Sequence, residues 1–274
     1  MPNKGRLTDY YTAAQTKEIL GITDGSLYNY VTNGTLERVL PPGKKQGVYR
    51  RSEVDQLARE LQAFLLHRKK QSTKFMRVTT EDEMRECQEI SQELFGVGRA
   101  TVKDRMKILA KNPDTYHLLQ DADTQQIVGY LALMPLKLGG LERVLNQTIP
   151  VQIDVDDIVD FDTPKDIDLY LHAVGIRPIF NVAEKRSYGA RLVNGLMEII
   201  LEMGEKGINI KTIAARSNMP DGIRLMRHAG FTEVASLTPE RRTFVIEVEE
   251  SGIPFVMQYK AALNRWREEQ QVTS

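Results

Sequence analysis

Cysteine is almost absent from this 274-residue chain. Cys87 is the only one, which excludes an intrachain disulfide and any thiolate zinc cluster. No spacing of histidine with aspartate or glutamate reads as a metal site. No apolar run approaches the roughly 20 residues that a membrane span needs. The opening MPNKGRLTDYY lacks the apolar centre of a secretory leader, so the expectation is a cytoplasmic protein without a membrane partner. Internal repeats and low-complexity stretches are missing too. Net charge is also missing, since 37 Lys+Arg stand against 37 Asp+Glu.

That zero hides an asymmetry. Residues 1–74 hold 13 basic against 7 acidic side chains, and the remainder holds 24 against 30. A basic front on an acidic body points to a polyanion that meets the front alone. The length suggests two domains. The polar run LLHRKKQSTKF places their boundary near Ser72, dividing the chain into 1–72 and 73–274.

Thr12-Ala-Ala-Gln15 is a capping-box pattern and predicts a short helix to Leu20, ended by Gly21. Thr23 caps a second helix, with Leu27, Tyr30 and Val31 on its buried side and Asn33-Gly34 at its end. LERVLPPGKKQGVYRRSEV then reads as strand, tip and strand. Ser52 caps a third helix carrying Leu57, Leu61 and Leu65. On YTAAQTKEILGIT, SLYNYVTNGTL and PPGKKQGVYRRSEVDQL, in that order, residues 10–66 resemble the winged helix-turn-helix head of the MerR and excisionase families. The resemblance implies duplex DNA as partner, in the bacterial cytosol or nucleoid. The second helix would enter the major groove with Thr23, Ser26, Tyr28 and Asn29 toward the bases. Lys44, Lys45, Tyr49, Arg50 and Arg51 of the wing would meet the backbone. Read without the resemblance, the same residues make a helical hairpin with a solvated tip.

Beyond Ser72 strand and helix patterns alternate. FMRVT is a strand, helices cover about 80–95 and 101–111, and TYHLLQD with QQIVGYLALMPL forms a hairpin around Asp121–Thr124. An irregular acidic stretch runs from Lys137 to Lys165. IDLYLHAVGIRP is a buried strand, a helix spans about 187–205, NIKTIAARS is a strand and 219–229 a helix. FTEVASL and RTFVIEVEE close as strands. The class is α+β, a mixed sheet with helices. The order β-α-α-β-β-β-α-β-α-β-β is similar to the GNAT (GCN5-related) N-acetyltransferase fold over about residues 75–250.

Two local stretches share that resemblance. Arg186-Ser187-Tyr188-Gly189-Ala190-Arg191 matches the family's phosphate-binding turn except that Arg191 takes its last small position. NMPDGIRLMRHAGF resembles the helix that carries Asn218 and runs into Gly230-Phe231. The resemblance implies acetyl-CoA or another acyl-CoA as cofactor, with its pantetheine along Val174-Gly175-Ile176. The pyrophosphate would lie on amides of residues 186–191, where glycine lets the backbone approach and the helix start favours anions. Arg191 either blocks that approach or adds a guanidinium to the pyrophosphate. The family's proton-donating tyrosine is replaced by Met226, which cannot donate.

His172, Asp168 and Asp166 are candidate bases for an amine acceptor. His172 reads equally as a core histidine. Three functions stay open: a DNA-binding regulator whose second domain senses acyl-CoA or an amine or acetylates a protein or small amine, an N-acetyltransferase with a targeting head, and a structural or recombination accessory with no ligand. In the tail GIPFVMQYKAALNRWREEQ, Phe255, Tyr259, Ala262, Leu263 and Trp266 share one helix face. That face either covers the chain's own sheet or joins a homodimer.

Overall fold

The computed structural model describes residues 9–41, 46–66, 73–96, 98, 100–147, 151–163, 165–236 and 241–273. The expected boundary near Ser72 lies outside them, as do Lys44 and Lys45.

Among the described residues the first elements are β1 (Tyr10–Thr12), a strand the sequence pattern does not show, and α1 (Ala13–Leu20). The Thr12 side chain accepts from the Gln15 amide and the Gln15 side chain accepts from the Thr12 amide, which satisfies two helix-start donors. Gly21, at φ 64°, adopts the left-handed conformation that stops α1. Thr23 caps α2 (Asp24–Thr32). β2 (Arg38–Val39) and β3 (Val48–Arg50) follow, and β3 lies between β1 and β2 in an antiparallel sheet. α3 (Arg51–Leu66) begins one residue before the expected Ser52 cap. Leu27, Tyr30, Leu36, Tyr49, Val54 and Leu57 form the core of this head.

The body is built on β4 (Thr73–Arg77), α4 (Glu81–Phe95), α5 (Val102–Lys111), β5 (Tyr116–Asp121), β6 (Ile127–Leu136), α6 (Gly140–Leu145), β7 (Asp166–Ile176), α7 (Val182–Glu205), β8 (Asn209–Ser217), α8 (Pro220–His228), β9 (Thr232–Val234), β10 (Arg242–Glu247) and α9 (Pro254–Thr273). Its seven strands run β4-β5-β6-β7-β8-β10-β9, antiparallel except for the parallel pair β7–β8. The expected α+β class with a mixed sheet and a C-terminal helix is what the chain forms. The stretch expected to be irregular contains α6 and a 3-10 turn at Val155–Asp157.

Strand alternation explains why β7 is buried on both faces. Ile167, Leu169 and Leu171 point into a core shared with α7, α8 and α9, whereas Tyr170 and Ala173 point into a second core under α4 and α5. Cys87 belongs to the second core; burial raises its thiol to about 12, so it is a packing residue, as its helical spacing with Ile90 and Leu94 suggests.

The face of α9 is occupied by the chain itself. Tyr259, Ala262 and Leu263 are buried, with the side chains of Tyr259 and Ala262 against Gly204 of α7. The Tyr259 hydroxyl donates to the Ile208 carbonyl at 2.8 Å and accepts from the Ile210 amide. Trp266 packs over Gly207. The homodimer contact expected as one use of this face therefore loses its surface.

Candidate functional site

The parallel pair β7–β8 separates partway along. Its pairing runs from Asp166 opposite Asn209 to Leu171 opposite Ala215. Beyond that, β7 stays paired with β6 as far as Ile176, and β8 stays paired with β10 as far as Ser217. The edge of His172–Ile176 that faces β8 is thus left without a strand partner. Where the strands part, β7 carries a bulge. Ala132 faces Ala173 and Leu133 faces Leu171, so His172 is the extra residue. Bulges bend a strand and raise its twist, which accounts for the separation.

His172 sits on the α4–α5 side, its ring centroid 5.8 Å from that of Tyr170. Its Nδ1 is buried with no hydrogen-bond partner. Burial, helped by the Arg105 and Arg241 guanidiniums, pushes its pKa down to about 4, so the imidazole is neutral at pH 7. Val174 and Ile176 point to the α7 side. A Cβ on Gly175 would overlap Leu94 of α4, so glycine there lets α4 close on the strand. Asn218 follows β8 at the open end of the gap and is exposed.

Asp168 and Asp166 do not join His172. Asp168 is four residues back, about 13 Å of strand, in the part where β7 and β8 are still paired. Burial raises its pKa, against hydrogen bonds from Gly139 and Thr212. Asp166 is at the far end of β7. It accepts from Asn209 at 2.7 Å and pairs with Lys211 at 3.2 Å, both of which lower its pKa. As candidate bases, Asp168 and Asp166 thus stand apart from His172 along β7.

The expected phosphate-binding turn is not a turn. α7 begins at Val182, five residues ahead of the expected start, so Arg186–Arg191 lie inside it with their amides committed to the helix. The Asn181 side chain accepts from the Ala183 and Glu184 amides at 2.9 and 3.0 Å, and Glu184 accepts from the Asn181 amide. That capping box occupies two of the helix-start amides a pyrophosphate would use. Ser187, Tyr188 and Ala190 are buried. The Tyr188 hydroxyl donates to Asp121 at 2.8 Å, and its ring meets Phe180 edge-on. The Arg191 side chain turns toward β4, where its Nε donates to the Thr73 hydroxyl at 3.0 Å. Nothing lies within 4 Å of a Cβ built on Gly189, so no close packing requires glycine there. Arg186 alone of the six is exposed.

The missed residues had a visible signal. Asn181-x-x-Glu184 is itself a capping pattern, and it outweighs the glycine at 189. Arg177, just past β7, carries the other unforeseen feature. Its guanidinium is held by Glu86, Glu89 and Glu93, three carboxylates on one face of α4, and its Nε donates to the Ile127 carbonyl at 3.0 Å.

Met226 is buried in the α7-side core, with no group to give a proton.

In the head, the expected DNA-facing set divides. Thr23 and Ser26 donate to the Gly252 carbonyl of the body at 2.9 and 3.0 Å, and Ser26 is buried. The Tyr30 hydroxyl donates to the His228 carbonyl at 2.9 Å. Tyr49 is buried in the head's own core. These positions correct the reading of Thr23, Ser26 and Tyr49 as base or backbone contacts. Tyr28 is 70% exposed and Asn29 is half-buried. Arg50 is exposed and pairs with Glu37 and Glu53, while Arg51 lies over the Tyr11 ring at 4.6 Å.

No family model matches the chain. No curated protein matches it either. Among solved structures it is similar to the loading GNATL domain of CurA from Lyngbya majuscula, at 13% identity over 66% of this chain and 100% of that one, with a TM-score of 0.48. It is similar to an agmatine N-acetyltransferase mutant at 12% identity over 64% and 99%, TM-score 0.42. Arabidopsis thaliana Naa50, solved with a bisubstrate analogue, gives 17% identity over 64% and 97%, TM-score 0.40. At these values nothing about ligands passes from them to this chain.

Proposed function

We propose that the body binds an acyl-CoA along the free edge of β7 and passes its acyl group to an amine. The observation that carries this reading is the unpaired edge His172–Ile176 beside β8, whose pairing with β7 ends at Ala215. Free backbone amides and carbonyls in a gap of this kind suit a ligand that is itself an extended chain of amides, such as pantetheine. The acyl-CoA supplies the activated acyl group; the chain holds and orients it. Two helix-start amides of α7 are already capped, so the pyrophosphate would draw on side chains, for which the exposed Arg186 of α7 and Asn218 beyond β8 are candidates.

His172 stands at the bulge where the gap opens. With a pKa near 4, it lies about 6 units below an alkylammonium, and taking that proton would cost about 8 kcal/mol. The reading therefore favours acceptors whose amine is already neutral near pH 7, with His172 accepting a hydrogen bond from the attacking N–H. Three glutamates around Arg177 leave the rim of α4 net negative, which favours an acceptor that carries a positive group elsewhere.

Binding without turnover is a second reading, favoured by the buried Met226, which has no proton to give where the resembling family carries its donor tyrosine. Calorimetry with acetyl-CoA tests binding, and thiol release across a panel of amines separates the two readings.

The head is proposed to bind duplex DNA and to direct the body to it. This is supported by two short helices across a glycine turn, an antiparallel pair after them, and the exposure of Tyr28 on α2. Salt-dependent binding to a duplex tests it.

A further inference from the structure

A groove of about 460 Å³ lies where head meets body, between the turn Asn33–Thr35 and the outer side of α8, with Arg242 of β10 at one side. None of the residues that line it belongs to the β7 edge His172–Ile176. Arg224, Arg227, His228 and Arg242 line it, and Pro220 with Ile223 supply an apolar wall. Opposing charge is scarce. Glu233 bonds to Arg227 at 3.0 Å and lies 3.5 Å from Arg242, so one carboxylate serves two guanidiniums. Arg224 is exposed and has no ion-pair partner among the described residues.

Two donors there lack acceptors. The Asn33 Oδ1 accepts from the amide and hydroxyl of Thr35 at 3.1 and 2.7 Å, which fixes the side-chain amide and leaves Nδ2 as its remaining group. That Nδ2 is buried without a partner, and so is the Nε of Arg227. Pro220 opens α8, whose first turn has no side-chain cap, so helix-start amides add to the positive end, offset in part by Asp221 in the same turn. Unpaired donors, surplus guanidiniums and an uncapped helix start all call for the same chemistry, an oxyanion with several acceptor oxygens.

We propose that this groove binds the phosphate of a phosphorylated small molecule, and that the ligand clamps head to body. The volume falls within the range of small-molecule sites. Asn33 comes from the head and the arginines from the body, so occupancy requires the docked arrangement. The ligand is thereby linked to docking, since anything that binds only the docked form stabilises it.

The test is calorimetry of the full chain with inorganic pyrophosphate at about 0.1 M salt, where surface charge still acts over about 10 Å. Binding is expected, with Arg224→Glu weakening it roughly tenfold or more by reversing the one unpaired charge. Asn33→Ala should weaken it less while slowing nothing else in the body. Arg224→Glu should leave acetyl-CoA affinity at the β7 edge unchanged, so the two sites fail independently. Displacement of pyrophosphate by ADP would assign the phosphate to a small molecule. Displacement by a duplex oligonucleotide alone would give the groove to DNA and overturn the small-molecule clamp. No heat with pyrophosphate at several millimolar, or unchanged binding by Arg224→Glu, would overturn the site itself.

Discussion

The Thr23 hydroxyl donates to the Gly252 carbonyl at 2.9 Å, joining the start of the head's second helix to the turn before α9 across 229 residues of sequence. Ser26 donates to the same oxygen, and a Cβ at position 252 would overlap the Thr23 hydroxyl. The helix start that the sequence offers to DNA is therefore engaged by the body. If the head is to use that end of α2 on a duplex, it must first leave Gly252.

Gly252→Val should open this contact. The added bulk is expected to speed hydrogen exchange across Thr23–Leu27 and to lower stability by about 1–3 kcal/mol through two lost hydrogen bonds. Unchanged protection of those amides would mean that the head does not rest on the body in solution.

Gly189 discriminates a helix interior from a phosphate turn. Gly189→Ala removes unfolded-state entropy at a helical site with open space around it, so stability is expected to rise by up to about 1 kcal/mol. Acetyl-CoA affinity should stay the same. A lower melting temperature with lost affinity would restore the phosphate turn.

Tyr188 and Tyr259 hold the long helices to the sheet. Tyr188→Phe removes the donor to Asp121 Oδ2, and Tyr259→Phe removes the hydroxyl that pairs the Ile208 carbonyl and the Ile210 amide. Each is expected to cost about 1–3 kcal/mol in chemical denaturation. Removing residues 253–274 should abolish cooperative melting and not merely change mass, because α9 covers α7.

Acid should destabilise the protein before its carboxylates titrate. His117 and His172 are both held near pKa 4 by burial, below the ordinary 6.5. As pH falls from 6.5 to 4 the unfolded chain takes up these protons and the native chain does not, so stability is lost across that window. Each shift corresponds to roughly 3 kcal/mol at its full extent. His172→Asn should flatten the fall in melting temperature between pH 6.5 and 4; an equal slope would place His172 in water.

Much of the chain was legible residue by residue. Thr12 with Gln15, Thr80 with Glu83 and the alternation in IDLYLHAVGI are local signals, and they place their elements correctly. The order of the body's strands followed because each pattern is long and periodic. The site was less legible, since its decisive features are competitions between distant groups. Gly189 suggested a loop, but Asn181 and Glu184 cap a helix upstream of it. Thr23 and Ser26 look like free hydroxyls until Gly252 is folded against them. Arg191 reads as a charge beside a ligand, although Thr73, 118 residues away, takes its Nε.

The most direct measurement is residue-resolved hydrogen exchange of the full chain with and without millimolar acetyl-CoA. If pantetheine lies on the free edge of β7, amides within His172–Ile176 that face β8 should gain protection, while those of Arg186–Arg191, already bonded within α7, should not change. Unchanged exchange at 172–176, or protection appearing at 186–191 instead, would contradict the account.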